Sequence, residues 1–386
     1  MIVNKLKLSN FKSFRNVDVE LRKFNALIGA NASGKSNLLE IIALLRTASA
    51  DLRPAILKGG GVSEWIWKGN PEAAARINVV VSNEQTRPPL RHVIAFRAAK
   101  QTFQIDDERI ENECPQEGEH DPYFYYRFQH GKPVINKRNV PKPRQLGRDS
   151  IDMELSILAQ RRDPDIYPEI THLAGVYDRI CLYREWAFGR NTVFRNPQKA
   201  DLRNDRLEED FSNLGLFLNR LRRFPKAKTA LLKGLRDLYQ GLTDFEVIIE
   251  GGTVQVFFTE GEFTIPATRL SDGSVRYLCL LAILCDPNPP PFIGLEEPEL
   301  GLHPDLIPKL ADLMVDASQR TQIVATTHSD LFVDALSSLP ESVVVCEKHQ
   351  GQTQFFRLER RKLQSWLSSY RLGQLWTRGD LGGTRW

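Results

Sequence analysis

The amino-acid sequence reads as an α/β protein with a mixed sheet, an antiparallel extension and a mainly helical second part. Three observations carry this reading. A short apolar strand at 24–28 runs through a glycine-rich loop into an amphipathic helix. Residues 75–105 return to strand-like patterning. Later apolar segments at 292–295, 322–326 and 342–347 alternate with helical stretches, as the strands of a parallel sheet do.

Taken in order, residues 1–24 alternate apolar and polar side chains with period two, which predicts two strands joined by a turn near 13–16. At 37–46, Leu38, Leu39, Ile41, Ile42, Leu44 and Leu45 recur at helical spacing. The runs INVVVSNE, LRHVIAFRAA and TFQI predict an antiparallel extension of the first sheet. The acidic stretch 106–121 reads as an exposed loop. Segment 131–148 is its opposite, carrying Lys132, Lys137, Arg138, Lys142, Arg144 and Arg148 with three prolines and no acid. It is either a solvated loop or a nucleic-acid-binding patch. Helices are expected at 151–160, 167–180, 213–223 and 226–239, then a hairpin turning at Gly251-Gly252 and a helix at 274–284. This organises the chain as a first lobe at 1–150, a mainly helical second lobe at 151–284, and a return to the first lobe at 285–386.

Bulk properties narrow the class. A 386-residue chain with 41% hydrophobic and 26% charged residues has the composition of a globular protein with a core. Net charge is +4, so any nucleic-acid site is a local patch and not a whole-molecule property. The five cysteines are odd in number and scattered, which argues against a disulfide framework and for a reducing compartment. Cys279 and Cys285 lack C-x-x-C spacing and read as buried thiols. The first residues do not form a secretory signal, and the longest apolar run, 278–284, is too short to span a bilayer. A cytoplasmic protein with no membrane partner is expected.

Four motifs carry chemistry. GANASGKS at 29–36 fits G-x-x-x-x-G-K-[ST] between a strand and a helix. Its glycines let backbone N–H groups turn toward phosphates, Lys35 is expected on the β- and γ-phosphates, and Ser36 on Mg²⁺. In PFIGLEEPELGLHP, an apolar strand ends in Glu296, expected to hold the metal through water, and Glu297, expected to polarise the attacking water. QIVATTHSD ends a third strand at His328, which is either a γ-phosphate sensor or a structural histidine. LSDGS at 270–274 opens a helix with Ser271 as N-cap; it is either an ordinary cap or an anion site that serves a partner's nucleotide.

With these motifs in order, the sequence resembles the ABC-type P-loop ATPase heads of the SMC/RecF/OLD kind, and especially the AAA-21 "predicted ATPase" group. The opening KLKLSNFKSFRN, the middle YREWAFGRN through LRNDRLEEDFSNL, and the closing GQLWTRGDLGGTRW are similar too. The resemblance implies ATP and Mg²⁺ as cofactors. It implies a nucleotide-contacting set of Gly29, Asn31, Gly34, Lys35, Ser36 and Asn37, with Ser271 and Gly273 acting across a homodimer that sandwiches ATP. Glu297, Glu296 and His328 take the catalytic roles. Gln160 is the candidate Q-loop residue for nucleotide and metal, against the alternative of a plain exposed glutamine. Two positions depart from the pattern: Glu296 stands where most such strands end in Asp, and Asp272 where the signature has Gly.

No heptad array, C-x-x-C hook or nuclease cluster is present in the sequence, and fewer than sixty residues follow His328, too few for an appended Toprim nuclease. By family analogy the expected role is the regulatory ATPase of a bacterial anti-phage defence system, controlling a separate nuclease or Toprim-like effector. The alternative is a RecF-like DNA-binding repair ATPase, which the basic segment favours.

Overall fold

The computed structural model of the chain describes residues 2–383 except 84–85, 100–101, 130, 138–139, 141, 148–149, 188, 190–191 and 193–194. Arg138 and Arg148 of the basic segment lie outside the described residues. So do Phe188, Arg190 and Asn191 of YREWAFGRN and residues 384–386 of the closing tail. The chain divides into two compact units, the first comprising Met1–Ile180, Val344–Leu358 and Leu381–Trp386, the second Cys181–Val343 and Glu359–Asp380.

The first unit is built on an antiparallel sheet. Strands Ile2–Phe11 and Phe14–Glu20 pair with Leu6 opposite Val19 and Leu8 opposite Val17, so the alternating apolar residues fall on one buried face. Ala75–Asn83, Thr86–Ala99, Thr102–Asn112, Phe124–Gln129, Lys132–Ile135 and Arg144–Gln145 extend the sheet in sequence order. The acidic stretch departs from expectation here, because its first half is strand. Asp107, Glu108 and Glu111 are buried in Thr102–Asn112. Each acid has a partner from elsewhere in the unit: Arg76 lies 2.7 Å from Asp107, Arg91 lies 2.7 Å from Glu111, and the Ile157 N–H donates to Glu108 at 2.9 Å. Pairing of this kind is what allows carboxylates inside a sheet.

In the same unit, the strand Phe24–Ile28 is buried throughout. It lies beside Val343–His349, which pairs antiparallel with Gln352–Arg357. The helix Lys35–Thr47 follows, burying the six leucines and isoleucines whose spacing predicted it.

The strand Ile180–Tyr183, which enters the second unit at Cys181, lies beside Phe292–Glu296, which pairs in parallel with Gln322–Thr326. Parallel register puts Glu296 opposite Thr326, so the ends of both strands open at one edge. The hairpin Leu242–Glu250 and Thr253–Glu260 turns on Gly251 and Gly252, at φ 56° and 75°, the left-handed pair that a two-residue hairpin requires. Helix Asp272–Leu284 buries every residue from Val275 onward and packs against Leu214–Leu221, Pro225–Leu238 and Leu306–Ala317. The two compact units divide the chain at other points than the expected lobes: residues 285–343 fall in the second unit and 151–180 in the first. Among the described residues no helix is long and apolar enough to cross a membrane.

Candidate functional site

The glycine-rich loop leaves the end of Phe24–Ile28 and is shaped by contacts a larger residue would destroy. Gly29 has φ 150°, and a Cβ there would collide with the Cys346 carbonyl; Gly34 has φ 111°, and a Cβ would collide with the Thr353 side chain. The Ser33 carbonyl accepts from the Cys346 thiol at 3.2 Å and the Thr353 hydroxyl at 2.8 Å, which pins the loop to two further strands. Lys35 is buried, and its Nζ donates to the Gly29 and Ala30 carbonyls at 2.7 and 2.9 Å, so the ammonium lies across the mouth of the loop. Asn31 and Ser36 are exposed on the loop and the first helical turn, while Asn37 donates to the Ser13 hydroxyl at 2.8 Å. A backbone cradle with a lysine and a hydroxyl at a helix N-terminus fits a polyphosphate and a hydrated divalent cation.

In the second unit, the two parallel strands deliver an acidic centre. Glu297 follows Phe292–Glu296 with φ 45°, rare for a residue with a Cβ, and its N–H is held by the Thr326 carbonyl at 3.1 Å. His328 Nε2 lies 3.6 Å from Glu297 Oε1, and both side chains are partly open to solvent. The structure therefore brings Glu296, Glu297 and His328 to one edge.

Around these residues is a bracket that sequence reasoning missed. Arg184 Nε donates to Glu296 Oε2 at 2.8 Å, and Trp186 Nε1 donates to the Glu296 carbonyl at 2.6 Å. The Arg276 guanidinium sits 4.8 Å from the centre of the Trp186 ring and donates to the Glu297 carbonyl at 3.2 Å. Burial pushes the Arg276 pKa down to about 10, with Glu299 and Glu297 drawing it back. Glu299 is also buried and accepts from the Thr327 hydroxyl and the His328 N–H. The signal for Arg184 and Trp186 lay in YREWAFGRN, a motif whose role only the fold displays.

Ser271 caps Asp272–Leu284, its Oγ accepting from the Ser274 N–H at 3.2 Å. Gly273 leaves no room for a side chain, since a Cβ would stand 2.7 Å from the Gly301 carbonyl. The unexpected acid Asp272 carries its own counter-charge: Arg195 donates to Asp272 Oδ1 at 2.5 Å and to the Thr268 carbonyl at 2.7 Å. The structure puts Ser271, Glu297 and His328 in one unit and Lys35 in the other, where the sequence reading had grouped Lys35 with the acids.

Gln160 departs from its expected role. It ends the short helix Ile157–Gln160, and its amide donates to the Asp152 and Leu155 carbonyls at 2.9 and 2.7 Å while accepting from the Asp152 N–H at 2.9 Å. A side chain with three local bonds closes a turn and is not held out toward a metal. The strand beside the acidic one, Ile180–Tyr183, continues into Arg184 and carries no glutamine there.

The family model described as "AAA domain, putative AbiEii toxin, Type IV TA system" matches residues 24–334, from the strand before the glycine-rich loop to just past His328. The chain belongs to this AAA family. No curated protein matches it at a significant level. Among solved structures it is similar to an SmcHead bound to the C-winged helix domain of ScpA, at 18% identity and TM-score 0.59 over 95% of this chain and 100% of that one. It is also similar to a Pyrococcus furiosus Smc head bound to the C-terminal domain of ScpA, at 16% identity and TM-score 0.57, covering 95% and 98% of the two chains. A Pyrococcus yayanosii Smc head matches at 14% identity and TM-score 0.50, covering 95% and 99%. This AAA protein thus has the fold of an SMC-type ABC ATPase head, as its motifs implied.

Proposed function

We propose that this AAA protein binds and hydrolyses ATP with Mg²⁺ and works as a head-to-head pair. The observation that carries the reading is the approach of His328 to Glu297 at the ends of two parallel strands, in a chain that also builds a phosphate cradle. Lys35 and the loop N–H groups would hold the triphosphate, and Ser36 and Glu296 are the proposed metal-binding residues of their respective motifs; the metal would supply charge neutralisation at the transferred phosphoryl group. Glu297 takes the proton of the attacking water, and His328 faces the terminal phosphate. Ser271 and Gly273 open a helix whose N-terminus suits an anion, and they complete the site of the second copy.

At the level of pathway, we favour a regulatory ATPase in bacterial anti-phage defence that controls a separate nuclease or Toprim-like effector. The family's description names a type IV TA system, and the similar Smc heads carry a bound domain of another protein. A second reading, DNA binding in repair, is favoured by Lys132, Lys142 and Arg144, which stand exposed on and beside the last strands of the eight-stranded sheet.

Mixing Ser271→Arg with Lys35→Ala subunits tests the pairing. Neither variant should turn over ATP alone, and the heterodimer, with one complete composite site, should regain up to about a quarter to a half of wild-type turnover. A mixture no more active than its components, with heterodimers demonstrably formed, contradicts the shared site.

A further inference from the structure

Glu299 is a buried carboxylate that the proposed chemistry does not use. Only 7% of the residue is exposed, and it sits two residues beyond Glu297. Its Oε1 accepts from the Thr327 hydroxyl at 2.6 Å and the His328 N–H at 3.0 Å. The Thr327 hydroxyl in turn accepts from the Ser329 N–H at 3.0 Å, and Ser329 caps the helix Asp330–Ala335. Meanwhile the Glu297 N–H is bonded to Thr326. The segment after Phe292–Glu296 therefore grips its neighbour twice, at the end of the strand Gln322–Thr326 by backbone and just beyond it by the Glu299 side chain.

An apolar residue of similar size at 299 would avoid the desolvation that burying a carboxylate entails. What the carboxylate adds is direction. Two donors on consecutive residues converge on one oxygen, and this sets the backbone from which the His328 ring projects toward Glu297. The other oxygen, Oε2, is buried with no hydrogen-bond partner among the described residues, so the directional bonds this side chain makes to its neighbouring segment all run through Oε1.

We propose that Glu299 is a positioning residue that fixes Thr327–His328 so that the His328 imidazole stays in register with Glu297. This rests on the reading that Glu297 and His328 act on the terminal phosphate of ATP.

The test combines Glu299→Gln, which keeps an acceptor oxygen, with Glu299→Met and Thr327→Val, which remove the acceptor and the hydroxyl donor. Each is made alone and with His328→Ala. Glu299→Met should lower kcat by about 10- to 100-fold with KM for ATP unchanged, and Glu299→Gln should retain most of the rate. In the His328→Ala background, Glu299→Met should cost nothing further, because both changes remove the same contribution. An unchanged kcat in Glu299→Met, a loss in Glu299→Gln equal to that in Glu299→Met, or multiplicative losses with His328→Ala would each overturn the proposal. If Glu299→Met does not fold, Thr327→Val decides: a fall in kcat that vanishes with His328→Ala supports it, and an unchanged kcat overturns it. A second readout needs no turnover, so a wild type that does not hydrolyse ATP sinks the ATPase reading separately. The His328 ring signals in an NMR spectrum, identified by their loss in His328→Ala, should move in Glu299→Met and Thr327→Val and stay in place in Glu299→Gln. Signals that ignore Glu299→Met and Thr327→Val overturn the proposal.

Discussion

Arg184 Nε lies 2.8 Å from Oε2 of Glu296, with both side chains partly shielded from solvent. The first carboxylate of the strand end therefore already has a cationic partner from the neighbouring strand's continuation, and it is a Glu in the position usually taken by the shorter Asp. In the proposed function, a divalent cation drawing on Glu296 would compete with that guanidinium. Arg184→Met should lower the Mg²⁺ concentration for half-maximal ATP turnover by about two- to fivefold, the range of a partly exposed ion pair. A Mg²⁺ requirement that is unchanged or higher would show that Arg184 does not compete with the metal.

The cysteines make a second expectation. Cys114 is exposed, and the other four are buried. Burial pushes the thiol of Cys346 up to about 11, that of Cys285 up to about 12, and that of Cys279 well above its ordinary value. A thiol reagent should modify one cysteine rapidly in the native protein and all five in denaturant. Cys114→Ser should abolish the fast phase. Two or more fast thiols in the native protein would contradict the packing of Cys346 beneath the phosphate loop.

Local motifs were legible in the sequence because their parts are adjacent. The phosphate loop needs eight consecutive residues, and the helix after it announces itself by spacing alone. The residues that surround the acidic centre were not legible. Arg184 meets Glu296 across 112 positions, Arg195 meets Asp272 across 77, and Thr327 meets Glu299 across 28. No periodicity reports a pairing of that kind. The strand Thr102–Asn112 hid for a related reason: its buried acids read as solvated until Arg76 and Arg91 are brought beside them. Gln160 has the residue type a Q-loop calls for, but its amide is spent on its own turn, a set of bonds that residue type alone does not report.

Glu299 also sets a pH dependence. Burial, joined by the nearby Glu297 charge, raises its pKa above the ordinary 4.5, against the lowering effect of its hydrogen bonds. The folded chain therefore binds this proton more tightly than the unfolded chain. The resulting stabilisation is complete below the ordinary value and is lost as pH rises through the raised one. Glu299→Gln removes this dependence, so its melting temperature relative to wild type should improve as pH is raised from roughly 5 to 8. A difference that is flat over that interval, or that moves toward the wild type, would contradict a raised pKa at this position.

ATP turnover by wild type and Glu297→Gln, measured beside ATP affinity with Mg²⁺ present, is the most direct measurement of all. Glu297 sits at φ 45° beside His328, and the proposed function makes it the group that activates water. The wild type should hydrolyse ATP. Glu297→Gln should bind ATP with unchanged affinity and lose about 100- to 10,000-fold in kcat, the contribution of a positioned general base. A wild type that does not hydrolyse ATP, or a Glu297→Gln variant that turns over at the wild-type rate, would contradict the assignment of this edge as a hydrolytic centre.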